Sequence, residues 1–202
     1  MIDYIWGVTQ KGGIILAPIF ILAFIGWWLV LNKFYLLIRM DLPLRSLNVQ
    51  SATPEAIAKW AKSLKKSELV TIPGGAVAAV FEVQKYGREA MEIALDAYIK
   101  TYFPSIQSTL QTVANMASTA PLLGLLGTVA GMVGTFQVIN VFGFGNPSMM
   151  ADSIAEALMT TQNGLLVAVP LMIFHIHLVN RAEKLEKKTL LACQKLIHHL
   201  SK

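Results

Sequence analysis

The sequence predicts an all-α integral membrane protein with three transmembrane helices and further helices outside the membrane. The mean hydropathy is +0.55. Only 14% of the 202 residues are charged, whereas about 25% are charged in a typical soluble domain. Several uncharged stretches reach the length of about 20 apolar residues that a helix needs to cross a bilayer.

The first predicted span covers residues 12–32, which contain no Asp, Glu, Lys or Arg. Trp27, Trp28 and Tyr35 lie around Lys33, and aromatic and basic residues mix in this way where a helix leaves the hydrocarbon region. The apolar run is too long for a cleaved secretory signal, and no small-residue cleavage site follows it. We therefore expect a retained membrane anchor.

Between the first span and the second, the sequence predicts a helical loop. Thr53, Pro54 and Glu55 have the residue types of a helix start, and this helix should continue to about Lys66. Residues 72–75, IPGG, are expected to break the chain.

Two further helical segments are expected after this break, at residues 76–86 and 88–102. Met91, Leu95, Tyr98 and Tyr102 should form a packing stripe on the second segment, which is expected to run into the next span, with a kink at Pro104.

The second and third spans are predicted in the C-terminal half, where no charged residue occurs at positions 101–151 or 157–180. The motif FGFGNP at residues 142–147 would end one helix and allow another to begin. We place the two spans near residues 113–141 and 149–179, as a hairpin. The tail, residues 181–199, should extend the third span.

The basic residues predict the orientation. Ten of the 17 Lys and Arg residues lie between spans one and two, and six follow span three. Lys11 alone precedes span one, and the hairpin turn has none. Since cytoplasmic flanks retain basic residues, the predicted topology is N-out/C-in. The net charge of +5 is then explained without nucleic-acid binding, for which the sequence carries no motif.

Four segments result from these assignments. The N-terminal segment with the first transmembrane helix is 1–40, the cytoplasmic helical loop is 41–112, the transmembrane hairpin is 113–180, and the cytoplasmic helical tail is 181–202.

Glu156 is the ionisable residue that stands out within a predicted span, where a charge costs at least about 2.5 kcal/mol. Ser153, Glu156, Thr160 and Asn163 recur at steps of three and four on one helical face, with Thr161 beside them. A water-filled or proton-conducting space would satisfy these groups. The alternative is that Glu156, about two turns from the hairpin turn, reaches the outer interface.

The second span carries glycines at steps of three and four, namely Gly124, Gly127, Gly131 and Gly134. Small residues allow membrane helices to approach closely, so we interpret these glycines as a helix-packing surface. Thr128 lies among them, and its hydroxyl either bonds its own helix backbone or lines a conduction path.

At these residues the chain resembles the MotA/TolQ/ExbB proton-channel family. The run APLLGLLGTVAGM at 120–132 resembles the family's second-span signature. The run IAEALMTT at 154–161, followed by GL at 164–165 and AVP at 168–170, resembles its third.

The resemblance implies that several copies, five in known relatives, form a homo-oligomeric ring whose inner wall is spans two and three. An ExbD- or TolR-like single-span partner would occupy the centre. Glu156, Thr161 and Thr128 match the family's pore-lining positions, and Thr160 belongs to the same polar stripe. The resemblance is greatest to ExbB-like members, which implies a bacterial inner-membrane motor that energises a TonB-like protein. The runner-up is a TolQ-like role in envelope maintenance.

A non-conducting membrane scaffold is the alternative from a different functional class, and it predicts that Glu156 is interfacial. An enzyme is not expected, because the sequence has no nucleophile elbow, Walker loop or metal motif. No cofactor is expected either. One carboxylate with hydroxyls could serve a proton or a sodium ion, and the resemblance alone favours the proton.

Overall fold

The computed structural model describes residues 15–45, 52–64, 71–145 and 147–201. All regular secondary structure in these ranges is helical, with short 3-10 turns at Gln84–Tyr86 and Gly143–Gly145. The α-helices are α1 (Leu16–Arg45), α2 (Pro54–Ser63), α3 (Ile72–Glu82), α4 (Arg88–Phe142) and α5 (Pro147–Leu200). Three of them, α1, α4 and α5, are long and apolar enough to cross a membrane. The all-α class with three candidate spans is therefore confirmed, while residues 12–14 of the first span lie outside the described residues.

The two longest helices exceed the thickness of a bilayer. α4 has 55 residues and α5 has 54, so at about 1.5 Å per residue each extends about 80 Å. The hydrocarbon core is about 30 Å thick, and much of each helix must therefore lie outside it. The structure confirms that the helix beginning at Arg88 runs into the second span and that the tail extends the third. α4 continues through Pro104 without interruption.

The helix start predicted at Thr53 is confirmed, since the Thr53 side chain accepts a hydrogen bond from the Ala56 N–H at 3.4 Å. This helix ends at Ser63, and residues 65–66 lie outside the described residues. The next segment, predicted as 76–86, ends as a helix at Glu82. Gly87 then adopts φ 95°, a left-handed conformation that glycine tolerates, before α4 begins.

The predicted break at residues 72–75 is wrong, because these residues form the first turn of α3. Thr71 caps the helix, and its hydroxyl accepts a hydrogen bond from the Gly74 N–H at 3.3 Å. Pro73 is tolerated in a first turn, where the backbone N–H groups have no helical partner. A Cβ at Gly75 would overlap the Tyr98 hydroxyl, so this position in α3 has no room for a larger residue.

The described residues form two compact units. Unit 1 contains residues 15–30, 111–145 and 147–175, and unit 2 contains residues 31–45, 52–64, 71–110 and 176–201.

Unit 1 exposes many of its large apolar residues. Its buried positions include the alanines 117, 120, 157 and 168 as well as Leu16, Ile19 and Leu171. The exposed apolar side chains, each more than half exposed, include Phe24, Trp28, Leu122, Phe136, Leu166 and Ile173. Water would not favour so continuous an apolar surface. It is suited to lipid tails or to neighbouring membrane helices.

α1 packs on α5 within unit 1 through one glycine and one aromatic pair. A Cβ at Gly26 would lie 2.9 Å from the Leu171 Cδ1 atom. The rings of Trp27 and Phe174 meet edge to face with centroids 5.3 Å apart, a favourable arrangement of aromatic quadrupoles.

Unit 2 has a core of large apolar side chains. These buried side chains come from all five α-helices and include Leu37, Ile57, Val80, Met91, Ile106 and Leu185. Its surface carries exposed ion pairs such as Arg88–Glu92 and Lys100–Asp96, both at 2.7 Å. Unit 2 therefore combines an apolar core with a charged surface, whereas unit 1 exposes large apolar side chains.

The predicted packing stripe on α4 is correct for Met91 and Leu95, which are buried. It then continues through Ile99 and Phe103, because steps of four residues follow the buried face of this helix. Tyr102 is instead 47% exposed.

Cys193 provides a test of the packing of unit 2. It lies in α5 beyond the predicted third span and is completely buried. Burial raises the pKa of its thiol from 9.0 to about 12. At pH 8 we therefore expect about a thousandfold less thiolate than at an exposed cysteine, and correspondingly slow maleimide labelling in intact membranes.

The control is Cys193→Ala combined with Ser201→Cys, because Ser201 is exposed and should label rapidly. Equal labelling rates at the two positions would contradict the packing described for unit 2.

The raised pKa of the Cys193 thiol also predicts a pH dependence of stability. The thiol ionises at a lower pH in the unfolded chain than in the folded protein. Its ionisation therefore leaves the free energy of unfolding unchanged below about pH 9 and lowers it as the pH rises from 9 towards 12.

Candidate functional site in the α4–α5 hairpin

α4 and α5 pack closely along the row of glycines on α4. A Cβ at Gly124 would lie 3.0 Å from the Thr161 Cα atom, and a Cβ at Gly131 would lie 2.9 Å from the Ser153 carbonyl oxygen. These are backbone atoms, which cannot turn aside as a side chain can. The backbones of the two helices therefore approach as closely as glycine permits.

The other two glycines of the row differ in the space around them. A Cβ at Gly127 would overlap the side chain of Thr160, which is only 1% exposed. A Cβ at Gly134 would meet the Ser153 Oγ atom at 3.7 Å, an ordinary van der Waals distance. The hairpin is thus tight from Gly124 to Gly131 and looser at Gly134.

Gly164 is a close-contact glycine on α5 that was not predicted as a packing residue. A Cβ there would lie 2.7 Å from the Ala120 carbonyl oxygen. The signal was present in the sequence, because Ala157, Gly164 and Ala168 place small residues on one helical face with Thr160 and Thr161.

Two threonines of α5 lie at the Gly124 carbonyl oxygen of α4. The Thr161 Oγ1 atom donates a hydrogen bond to this oxygen at 2.9 Å. The Thr160 Oγ1 atom donates to the Ala157 carbonyl oxygen at 2.7 Å and lies 3.4 Å from the same Gly124 oxygen. The Thr161 bond therefore links the two helices at the Gly124 end of the glycine row.

Thr128 and Asn163 bond instead to their own helices. The Thr128 hydroxyl donates to the Leu125 carbonyl oxygen at 2.7 Å, which is the local bond that the sequence allowed for. On α5, the Asn163 amide donates to the Met159 carbonyl oxygen at 2.7 Å.

Glu156 is half-buried on α5, one turn before Thr160. Among the described residues, no basic side chain lies within ion-pair distance of its carboxylate. Asp152, one turn earlier, is exposed. A carboxylate that lies on an apolar helix pair and lacks a cationic partner is a candidate functional group.

The described part of the chain contains no group of three metal-ligating side chains. His175 lies on the charge-free part of α5. In the structure, its Nδ1 atom is buried and has no hydrogen-bond partner among the described residues. No residue pattern in the sequence indicated this unsatisfied atom.

Comparison with known proteins identifies relatives along most of the chain. Residues 50–189, more than half of the sequence, match the profile of the MotA/TolQ/ExbB proton channel family. An ExbB-like biopolymer transport protein from Synechocystis sp. is 28% identical over 174 residues, covering 82% of this chain and 67% of the relative.

Two further relatives match shorter segments. ExbB of Aquifex aeolicus is 43% identical over 75 residues, covering 37% of this chain and 51% of the relative. TolQ of Haemophilus influenzae is 32% identical over 98 residues, covering 48% of this chain and 41% of the relative. The aligned segments therefore cover about two fifths to two thirds of the length of each of these relatives.

Proposed function

The chain belongs to the MotA/TolQ/ExbB proton channel family, and from this membership we propose that it is a proton-conducting motor subunit. It acts in the inner membrane of a bacterium, where the proton motive force, through an ExbD-like partner, energises a TonB-like protein for import across the outer membrane. The observation that carries the proposal is Glu156, a half-buried carboxylate on a tightly packed pair of apolar helices.

In this proposal, the hairpin of residues 113–180 forms the inner wall of a homo-oligomeric ring, a pentamer. Glu156 holds the transferred proton, and Thr161, Thr160 and Thr128 form the polar surface on the two helices. The single-span partner lies at the centre and supplies the group that receives the proton. The loop at 41–112 and the tail at 181–202 lie in the cytoplasm, as the basic residues favour.

The exposed apolar side chains of unit 1 support an assembly of several copies in a membrane. Leu125, Val129 and Phe136 on α4 are each more than half exposed, as are Leu158 and Leu166 on α5. Such faces can contact lipid or neighbouring helices, whereas the glycine face is already used within the chain.

The proposal is tested by reconstituting the protein with an ExbD-like partner in liposomes that contain a pH-sensitive dye. We expect an imposed proton gradient to dissipate faster with the full complex than with protein-free liposomes. A sodium gradient serves as the ion control. Proton flux at the protein-free rate, from a complex shown to be assembled, would support a non-conducting scaffold instead.

The TolQ-like alternative is retained because TolQ of Haemophilus influenzae is 32% identical to this chain over the aligned residues. The two tasks are distinguished in cells that lack the native protein. An ExbB-like protein should restore uptake of a TonB-dependent substrate, whereas a TolQ-like protein should restore resistance to detergents that enter through a damaged envelope.

A further inference from the structure

Unit 2 contains a cleft of about 320 Å³ between α1 and α5. This volume is near the lower end of the range for ligand-binding cavities. We call it the basic cleft; the residues that matter to its chemistry are Asp41, His177, Asn180, Arg181, Lys184 and Lys188.

The basic cleft carries an excess of positive charge. Lys188 pairs with Asp41, with 3.1 Å between the Nζ and Oδ1 atoms. Among the described residues, Arg181 and Lys184 have no acidic partner within ion-pair distance. Arg181, Lys184 and Lys188 against the one carboxylate of Asp41 give the cleft a net charge of about +2, which favours an anionic ligand.

The Arg181 side chain is held in place by packing. Its guanidinium carbon lies 5.9 Å from the centroid of the Phe34 ring, a cation–π contact. A guanidinium fixed in this way can present two parallel N–H groups to a phosphate. Lys184 is exposed and adds a mobile ammonium one turn further along α5.

The cleft also lies where α5 changes from apolar to charged. Residues 157–180 contain no Asp, Glu, Lys or Arg, and Arg181 is the first charged residue after them. Ile176, one turn before Asn180, is 54% exposed. A ligand that reaches the cleft along α5 would thus meet apolar surface first and cations next, which is the order of acyl chains and phosphate in a phospholipid leaflet.

We propose that the basic cleft binds the phosphate headgroup of an anionic phospholipid of the phosphatidylglycerol class. Arg181 and Lys184 contact the phosphate, and Asn180 and His177 lie beside the headgroup. Basic pockets between membrane helices on the cytoplasmic side bind such headgroups in general. Lipid binding at this cleft does not depend on ion conduction and is tested without it.

The test uses the full-length protein purified in detergent, with bound lipid measured by native mass spectrometry after titration with phosphatidylglycerol or phosphatidylcholine. The wild type should bind phosphatidylglycerol in preference. Arg181→Gln combined with Lys184→Gln should weaken its binding about 25-fold. The matched control is Lys85→Gln with Lys100→Gln, which removes the same charge from exposed positions outside the cleft and should bind as the wild type does.

Two single variants separate headgroup binding from a general loss of folding. Lys184→Gln alone keeps the contact between Arg181 and Phe34 and should still weaken binding about fivefold. Asp41→Asn removes the competing carboxylate and should strengthen binding, an effect opposite to simple destabilisation. Inorganic phosphate should not displace the lipid, because it lacks acyl chains.

The proposal is overturned if the control pair weakens binding as much as the cleft pair, since bulk charge would then be responsible. It is also overturned if phosphatidylcholine binds equally well, or if inorganic phosphate at millimolar concentration displaces the lipid.

Discussion

Replacing Gly131 with alanine is expected to destabilise the α4–α5 hairpin and to reduce assembly of the complex. The added Cβ would lie 2.9 Å from the Ser153 carbonyl oxygen and 3.0 Å from the Ala157 Cα atom. Since both are backbone atoms, the helices must move apart to accept it. Overpacking of this kind costs on the order of 1–3 kcal/mol, and separation of the helices would also disturb the hydrogen bond from Thr161 to Gly124.

The matched control is Gly134→Ala, three residues along the same helix. There the new Cβ would meet the Ser153 Oγ atom at 3.7 Å, which is ordinary contact, so wild-type behaviour is expected. The measurement is the midpoint of thermal unfolding in detergent, followed by size-exclusion chromatography, for both variants. If Gly131→Ala behaves like Gly134→Ala, the close approach of α4 and α5 is wrong.

The positions of the spans and of the glycine row could be predicted from the sequence for physical reasons. A membrane helix carries few charges over its crossing, so the long charge-free gaps at 101–151 and 157–180, separated by Asp152 and Glu156, indicate the second and third spans. Close packing of membrane helices requires small residues at helical spacing, so Gly124, Gly127 and Gly131 were identifiable as packing positions from their spacing alone.

Other features depended on contacts that a sequence does not display. The run IPGG contains one proline and two glycines, which are unfavourable in a helix interior, yet it forms the start of α3. Thr71 caps the helix and Pro73 lies in its first turn, where a missing backbone N–H costs no helical bond. Helix propensity alone, without a known helix start, therefore predicted a break in the wrong place.

The hydrogen-bond acceptors of the threonines at the candidate site also could not be predicted from the sequence. Their spacing placed Thr160 and Thr161 near the polar face of α5, but the acceptor for their hydroxyls could not be inferred. The structure shows Thr161 donating to the Gly124 carbonyl oxygen and Thr160 buried beside it. A buried hydroxyl needs a partner, and here the glycine row supplies it by exposing backbone carbonyl groups to the neighbouring helix.

Replacing Glu156 with glutamine is expected to abolish partner-dependent transport while the complex still assembles. Glutamine preserves the size of the side chain and its hydrogen-bonding capacity, but it cannot take up and release a proton at neutral pH. Losing a group that transfers protons costs at least about a hundredfold in rate. The measurements are uptake of a TonB-dependent substrate in cells that lack the native protein and proton flux in liposomes, with assembly quantified in parallel.

Asp152→Asn is the matched control, because it removes a carboxylate one turn earlier on the same helix, at an exposed position. It should retain both uptake and proton flux. If Glu156→Gln also retains them, the carboxylate at 156 is interfacial and the hairpin acts as a scaffold. If Glu156→Gln alone fails while assembly is unchanged, the loss is due to protonation at this one site, since the two substitutions remove the same charge from neighbouring turns of one helix.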